Sequence, residues 1–507
     1  MENSLVPTTK QSNSSIVLFT LFFTIFGYVA YLLLYSIVNP NKEYSIPIFL
    51  MNWLGIVLGI FILVTWYKLT RTILSPYTIF MLFFFLFNYG QCLLWAFGIH
   101  DSFEIGQAPM YRNFGVANDA DILKAQALTL ICILMFHLGS VLCYKPRKKI
   151  IYEETSKTFN AIFYTCLVVG FFVIPITLYY AYYDFKIASV HGYGALYYSE
   201  FARTDATIPN ILQKAFFPCL VGLLIGSNYK KRVRVTVYTI FTIYFTLNLL
   251  SGDRGSWVYK ILILIWLSNT CYKRIKMKTL MKYSLIGIGI LYITNILVSI
   301  RSFGLSNIDT EVIKERASAQ SSPFISSIFE MGSSMQPTII LQKYGWDVWP
   351  YVSTYLQALL GMVTNKILYL FNIPFELLSS WFSQEYLGIS WGAGFSIIAE
   401  ALLNGGPFLA PLFILIQGYI VTSLISINYK VSYTEKPLRF FFVAATLSIF
   451  INITRNELHL VLKDWIYGVL VLYFLIILME NFIFTKEPKK LRGNLSKGHL
   501  RGVEIEK

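Results

Sequence analysis

Charged side chains are scarce in this chain. They make up 14% of its 507 residues, whereas a soluble domain carries about 25%. This scarcity excludes an ordinary soluble enzyme. Apolar residues reach 56% and are grouped in long blocks, as expected of helices that cross a bilayer. The composition therefore predicts an all-α polytopic membrane protein.

Several signatures of enzyme chemistry are also missing. The sequence contains no P-loop, no dinucleotide-binding glycine fingerprint, no HExxH motif and no GxSxG nucleophile elbow. Its six cysteines lie in or at the edge of apolar runs, and they follow neither a zinc-ligand spacing nor a disulfide framework. We therefore expect no cofactor and no bound metal.

The apolar blocks predict about twelve membrane-spanning helices. In chain order the predicted spans are residues 16–38, 46–66, 76–99, 122–144, 161–183, 211–227, 235–250, 257–271, 283–300, 408–427, 440–453 and 465–484. Residues 1–300 would form an N-terminal bundle of nine spans, and residues 408–484 the C-terminal spans. Residues 301–407 are predicted to be a large external loop with short amphipathic helices, interfacial or re-entrant. Residues 485–507 are predicted to be a basic cytoplasmic tail.

The basic residues are concentrated on one side of the predicted bundle. The net charge is +15, and most of the lysines and arginines fall in loops on the side that holds both termini. Cytoplasmic loops are enriched in Lys and Arg and face anionic lipid headgroups. We therefore expect both termini to be cytoplasmic and membrane lipid to be the partner of the basic face, with no nucleic acid.

Ionisable residues collect at the outer ends of the predicted spans, while the cores of the spans are almost free of charge. His137 is the clear mid-span exception, and we interpret it as a core histidine with satisfied hydrogen bonds. A coupled transporter usually needs ionisable groups near the midplane. An enzyme acting on a lipid-borne substrate at the outer interface needs them at the outer ends, so the distribution favours an enzyme.

Arg254 stands between two apolar runs that are rather short for membrane spans. Its joint is predicted to dip below the membrane surface and to line a hydrated pocket walled by protein. A guanidinium matches phosphate oxygens in pairs, and Gly252 and Gly255 let the backbone approach a ligand closely. We predict that Arg254 holds an anion, with Gly252, Asp253 and Gly255 contacting the same substrate. The alternative is a snorkelling arginine that ends a helix beside Asp253.

Four further residues could take part in chemistry. Arg301 and Arg455 each follow a predicted span, and each could bind an anion or act as an interface anchor. His459 lies four residues after Arg455, where it could be an acid, a base or a phosphate ligand, or only a surface histidine. Glu400 lies in an otherwise apolar segment and needs a partner, because a lone buried carboxylate is costly. It could be a general base or a structural partner of an arginine.

Several stretches give the chain a resemblance to a known family. The stretches are Ser251-Gly252-Asp253-Arg254-Gly255, Ser299-Ile300-Arg301, Trp391-Gly392-Ala393-Gly394-Phe395, Ala399-Glu400, Asn404-Gly405-Gly406 and Thr454-Arg455-Asn456. In their order and topological placement they resemble the O-antigen polysaccharide polymerases of the Wzy type, also called oligosaccharide repeat-unit polymerases. The large external loop late in the chain is similar as well.

The resemblance implies a glycosyltransferase that uses no nucleotide sugar, in a bacterial inner membrane. The donor would be a growing glycan on undecaprenyl pyrophosphate, and the acceptor a single repeat unit on the same lipid. Arg254, Arg301 and Arg455 would stabilise the pyrophosphates, and Glu400 or His459 would supply the base. A chain-length regulator and a flippase would be partners.

Three other functions remain open from the sequence. An O-antigen ligase would use the same donor and similar arginines with another acceptor. A lipid-linked oligosaccharide flippase would need cationic residues along a central cavity, and the spans contain hardly any. A non-enzymatic membrane scaffold would leave the external arginines replaceable.

Overall fold

The computed structural model describes most of the chain. The described residues are 9–111, 114–144, 156–191, 195–196, 207–251, 258–275, 278–279, 282, 289, 323–390, 392–427 and 433–482. Apart from an isolated bridge between Ile105 and Ala108, these residues contain no β-structure. The described chain is therefore all-α.

The helices are of very different lengths. In chain order they are α1 (Thr9–Ile37), α2 (Ser45–Thr70), α3 (Pro76–Trp95), α4 (Asp119–Cys143), α5 (Ser156–His191), α6 (Thr207–Lys214), α7 (Phe216–Gly226), α8 (Lys231–Ser251), α9 (Val258–Leu267), α10 (Pro323–Gly332), α11 (Gln336–Tyr344), α12 (Thr354–Gly361), α13 (Lys366–Leu370), α14 (Leu378–Ser380), α15 (Ile397–Ile425), α16 (Pro437–Phe450), α17 (Leu458–Trp465) and α18 (Val471–Phe482). Tighter or wider helical turns extend or join some of them, at Ser268–Tyr272, Ser333–Met335, Trp381–Tyr386, Ile451–Thr454 and Ile466–Leu470.

Nine helices of the described chain are long and apolar enough to cross a bilayer. They are α1 to α5, α8, α15, α16 with its extension, and α17 joined to α18. The bent pair α6 and α7 makes ten if it is one span. This confirms the polytopic membrane fold. Val258–Tyr272 is apolar but shorter, and the predicted span 283–300 lies almost entirely outside the described residues, so the count of twelve stays a prediction.

Helix α4 lies at the centre of the bundle and packs most extensively against α15. Two glycines allow the backbones to touch. A Cβ on Gly139 would lie 2.1 Å from the carbonyl oxygen of Leu415, and one on Gly418 would lie 2.3 Å from that of Phe136. Small residues at a helix crossing permit this close approach inside a membrane. The α4–α15 pair is therefore the rigid element to which the site described below is attached.

His137 confirms its interpretation as a satisfied core residue. It lies in α4 and is fully buried. Its Nε2 atom is 2.8 Å from the Thr65 hydroxyl, and its Nδ1 atom is 2.6 Å from the Tyr77 hydroxyl. Both ring nitrogens are thus used within the bundle, which removes the cost of burying them unpaired.

Helix α15 bends at Gly406, whose φ of 60° and ψ of −174° are not helical. Glycine adopts such a conformation without steric cost. Further along, Pro411 has no N–H, so the carbonyl of Pro407 lacks its helical partner. The Tyr31 hydroxyl of α1 donates to that carbonyl at 2.9 Å. A side chain from another helix therefore completes the backbone hydrogen bonding of the bent span.

The bend lies at the predicted boundary between the external loop 301–407 and the span 408–427. Two helical segments meet at the non-helical residue Gly406, and together they are long and apolar enough to count as one candidate span, Ile397–Ile425. Glu400 belongs to the N-terminal segment of this candidate span.

Helices α10 to α14 are short and have one buried face. In α12, Thr354, Gln357 and Ala358 are buried, whereas Leu356 and Leu359 are exposed. An exposed apolar face opposite a polar buried face fits the short amphipathic helices predicted in residues 301–407. The external placement of this region and the boundaries of the four predicted regions stay predictions.

Candidate functional site

Three of the predicted site residues fall within the described chain. Glu400 lies near the start of α15, and Arg455 and His459 lie where α16 gives way to α17. The other five, Gly252, Asp253, Arg254, Gly255 and Arg301, lie outside the described residues. The structure therefore describes the part of the predicted site that comes from the C-terminal part of the chain.

Two stretches that gave the family resemblance run side by side. The backbone N–H of Phe395 donates to the carbonyl of Arg455 at 3.2 Å. The backbone N–H of Leu458 donates to the Glu400 carboxylate at 2.8 Å. These contacts tie residues 395–400 to residues 455–458. The sequence placed the two stretches sixty residues apart, and the fold makes them neighbours.

Arg455 is exposed and is held by its backbone, not by an acid. It follows the tight turn Ile451–Thr454, whose last carbonyl accepts a hydrogen bond from Asn88 of α3 at 3.0 Å. The guanidinium carbon lies 5.5 Å from the centroid of the Phe87 ring. Within the described ranges no carboxylate lies at ion-pair distance from Arg455. Its positive charge is therefore available for an anionic ligand.

Tyr111 belongs to the same surroundings. Its hydroxyl donates to the carbonyl of Ala393 at 3.2 Å, which fixes the glycine-rich stretch next to Arg455. Burial raises the pKa of Tyr111 above its usual range, although the charge of Arg455 opposes this shift. Gly394 has a φ of +72°, a conformation that favours glycine. The glycines of this stretch thus have a backbone role beside the arginine.

The Glu400 carboxylate is buried, and both of its oxygens accept hydrogen bonds. One oxygen accepts from the Thr354 hydroxyl at 2.9 Å, and the other from the N–H of Leu458, the first residue of α17. A carboxylate at a helix N-terminus satisfies a donor that has no partner in the helix. The sequence raised an arginine as its structural partner, and the structure supplies a hydroxyl and a backbone amide instead. Asn404 completes the cluster by donating to the Thr354 hydroxyl at 2.7 Å.

Glu457 is a second buried carboxylate, to which the sequence analysis assigned no role. It is 1% exposed, and the backbone N–H and hydroxyl of Ser379 donate to it at 3.1 and 3.2 Å. Burial raises the pKa of Glu457 to about 7, while the hydrogen bonds from Ser379 oppose the shift. Its position two residues after Arg455 was visible in the sequence, but its burial was not.

His459 packs against α12, where its imidazole lies beside Gly361. The residue is 5% exposed, and the centroid of its ring is 4.7 Å from that of the Phe375 ring. Neither ring nitrogen has a hydrogen-bond partner in the described part of the chain. A buried imidazole with two unused nitrogens can exchange a proton or a hydrogen bond with a ligand.

The arrangement combines an accessible guanidinium with buried polar groups on neighbouring turns. Arg455 can stabilise negative charge that develops on a phosphate, and His459 can accept a proton. Among the described residues no three His, Cys, Asp or Glu side chains converge on a position that could hold a metal ion. The chemistry available to these residues is therefore charge stabilisation and proton transfer.

The whole chain was compared with known proteins. The model of the family described as "O-antigen polysaccharide polymerase Wzy" matches residues 16–487. No curated protein and no solved structure matches the chain. The family match covers nearly the whole sequence and includes every predicted site residue. The chain therefore belongs to the O-antigen polysaccharide polymerase Wzy family.

Proposed function

We propose that this polymerase joins oligosaccharide repeat units carried on undecaprenyl pyrophosphate, and that it does so at the outer face of a bacterial inner membrane. Membership of the family means that the protein polymerises repeat units into O-antigen. The lipid pyrophosphate and the outer face are the parts proposed here. We also propose that a flippase supplies the units and that a chain-length regulator acts with the polymerase.

The observation that carries this proposal is the state of Arg455. Its guanidinium is exposed and has no acid partner among the described residues, and its backbone carbonyl is hydrogen-bonded to the stretch that contains Glu400. A preorganised guanidinium does not have to reorient when negative charge develops in the transition state. The departure of a pyrophosphate is a reaction that needs this stabilisation.

The proposed reaction is a single displacement at the donor sugar. The oxygen of an acceptor hydroxyl forms a bond to the anomeric carbon, and the bond between that carbon and the phosphate oxygen breaks. The pyrophosphate leaves with the electron pair, and the hydroxyl proton passes to a base. We assign Arg455 to the leaving pyrophosphate, and we propose Arg254 and Arg301 for the same task, with Gly252, Asp253 and Gly255 contacting the substrate.

His459 is better supported as the base than Glu400. Both oxygens of Glu400 already accept hydrogen bonds from Thr354 and Leu458, so this carboxylate serves to join α12, α15 and α17. The nitrogens of His459 are unused in the described chain. A general base must be within hydrogen-bond reach of the proton that it removes, and unpaired nitrogens can make that contact.

A deletion strain complemented with the wild-type gene tests the proposal. We expect the surface glycan of the deletion strain to stop at one repeat unit, and the complemented strain to recover a ladder of long chains on a gel. An O-antigen ligase would instead leave long polymer on the lipid carrier when deleted. A flippase would leave single units on the cytoplasmic side. Long polymer on the lipid carrier, or single units held on the cytoplasmic side, would contradict the proposal.

A further inference from the structure

Two neighbouring buried side chains, Gln357 of α12 and His459 of α17, contain polar atoms that the fold does not use. The two residues are 3% and 5% exposed. In the described ranges, Nε2 of Gln357 and both ring nitrogens of His459 have no hydrogen-bond partner. Buried polar groups are rarely left unpaired in native proteins, and each specific exception requires an explanation. Three such atoms on two residues that contact each other indicate a position for a polar ligand group.

The packing around His459 shows why the two residues are so close. The imidazole lies against the backbone of Gln357. One turn later, a Cβ on Gly361 would lie 2.8 Å from Cε1 of the imidazole, so only glycine leaves room for the ring. Lys463 does not occupy the imidazole nitrogens, because its ammonium group is directed to Asn365 at 3.4 Å.

The donors and acceptors of the two side chains restrict the ligand. A neutral imidazole has one donor and one acceptor nitrogen, and the Gln357 amide nitrogen is a donor. A phosphodiester oxygen only accepts, and it would leave the acceptor nitrogen unpaired. A hydroxyl can accept from Gln357 and donate to His459 at the same time. The half-buried Phe375 ring beside the imidazole adds an apolar face, which suits a sugar.

We propose that Gln357 and His459 form a subsite for a hydroxyl group of the substrate glycan, in which Gln357 binds the hydroxyl oxygen and His459 receives its proton. The inference rests on the proposed function and assigns a role to Gln357 that the sequence did not indicate. The same hydrogen-bonding chemistry would suit a water molecule that only stabilises the fold. Substrate affinity distinguishes the two cases, because it depends on Gln357 only if the site binds a hydroxyl of the glycan.

Polymerisation kinetics of the full-length protein in lipid nanodiscs test the subsite. The substrate is the lipid-linked repeat unit extracted from the deletion strain. Gln357→Met keeps the size and helix propensity of the side chain but removes the donor. We expect this variant to raise KM about 3- to 10-fold, the range for loss of one hydrogen bond, with a melting temperature close to that of its control. Gly361→Ala should raise KM in the same way by displacing the imidazole.

The matched control is Gln342→Met, which makes the same chemical change on α11. Gln342 also has unpaired amide atoms in the described chain, but its helix packs against α4, so its KM should stay at the wild-type value. An unchanged KM with a lowered melting temperature in Gln357→Met would mean a structural water and would overturn the inference. If Gln357→Met does not fold, Gly361→Ala takes its place, and an unchanged KM in that variant would overturn the inference. If the wild-type protein forms no polymer from this substrate, the proposed function itself fails.

Discussion

Arg455 is an exposed arginine with no acid partner among the described residues. Its guanidinium contacts the Phe87 ring. Arg455→Lys keeps the charge but loses the fork of donors that matches two phosphate oxygens. We expect this variant to give only short glycan on a gel.

The control for this prediction is Arg439→Lys. The Arg439 guanidinium donates to the backbone carbonyls of Ser423 and Ser426, contacts that a lysine can partly replace, so its ladder should be normal. A normal ladder from Arg455→Lys would remove Arg455 from the site. The same substitution of Arg254 should also fail to restore chain length.

Glu400 allows a structural role to be separated from a catalytic one. Glu400→Gln retains an acceptor for the N–H of Leu458 and a partner for Thr354, so we expect activity within about tenfold of wild type. Glu400→Ala leaves that buried N–H unpaired and should lower the free energy of unfolding by about 1–3 kcal/mol. Activity and thermal melting of the purified variants measure both effects. A fall in kcat of about 10²–10⁴-fold in Glu400→Gln would instead identify Glu400 as the general base.

Glu457 predicts a dependence of stability on pH. Its pKa of about 7 in the folded protein lies above the ordinary value of 4.5, so the folded state binds the proton more tightly than the unfolded state. The stabilisation is complete below pH 4.5 and is lost as the pH rises through 7. The melting temperature of wild type relative to Glu457→Gln should therefore fall between pH 4.5 and 7. Parallel melting curves across this range would contradict the prediction.

For single residues, the sequence predicted whether a side chain is buried better than it predicted the hydrogen-bond partners of that side chain. His137 was recognised as a core histidine because a lone histidine in an apolar run must be satisfied internally. The partners of Glu400 were not predictable, because Thr354 and Leu458 belong to helices that only tertiary packing brings to α15. Gln357 is visible in the sequence only as a polar residue within an apolar stretch, because the lack of a partner for its amide nitrogen is known only after folding.

At the scale of elements, the crossing of α4 and α15 holds the site in place. Gly418→Val puts a branched side chain where a Cβ alone would be 2.3 Å from the Phe136 carbonyl oxygen. Overpacking a tight core costs about 1–3 kcal/mol or more, so we expect loss of folded protein in fluorescence-detected gel filtration. Gly59→Val is the control, because the nearest atom to its Cβ would be 3.7 Å away, in the Phe85 ring. Equal yields of the two variants would contradict this account of the crossing.

Helix existence followed from hydropathy, but the contact that joins two helical segments did not. Helix α15 is interrupted at Gly406, whose backbone is not helical, between the residues assigned to the external loop and the predicted span 408–427. The Tyr31 hydroxyl donates to the carbonyl of Pro407 just after this interruption. A hydroxyl supplied from α1 is a long-range contact that local sequence patterns do not encode.

At the scale of the whole molecule, we propose that an apolar bundle presents an exposed guanidinium, a buried imidazole and a glycine-rich stretch to a lipid-borne glycan. The bundle was predictable because membrane spans are set by composition and length. The stretches around residues 395–400 and 455–458 were singled out only by resemblance. The structure joins them through one backbone hydrogen bond and one hydrogen bond to the Glu400 carboxylate.

The most direct test is polymerisation by the purified protein in liposomes supplied only with lipid-pyrophosphate-linked repeat units. The account predicts that wild-type protein converts single units into a ladder of longer lipid-linked glycans, and that Arg455→Lys protein of equal melting temperature does not. A ladder of equal length from both proteins, or no ladder from wild type in the presence of intact substrate, would contradict it.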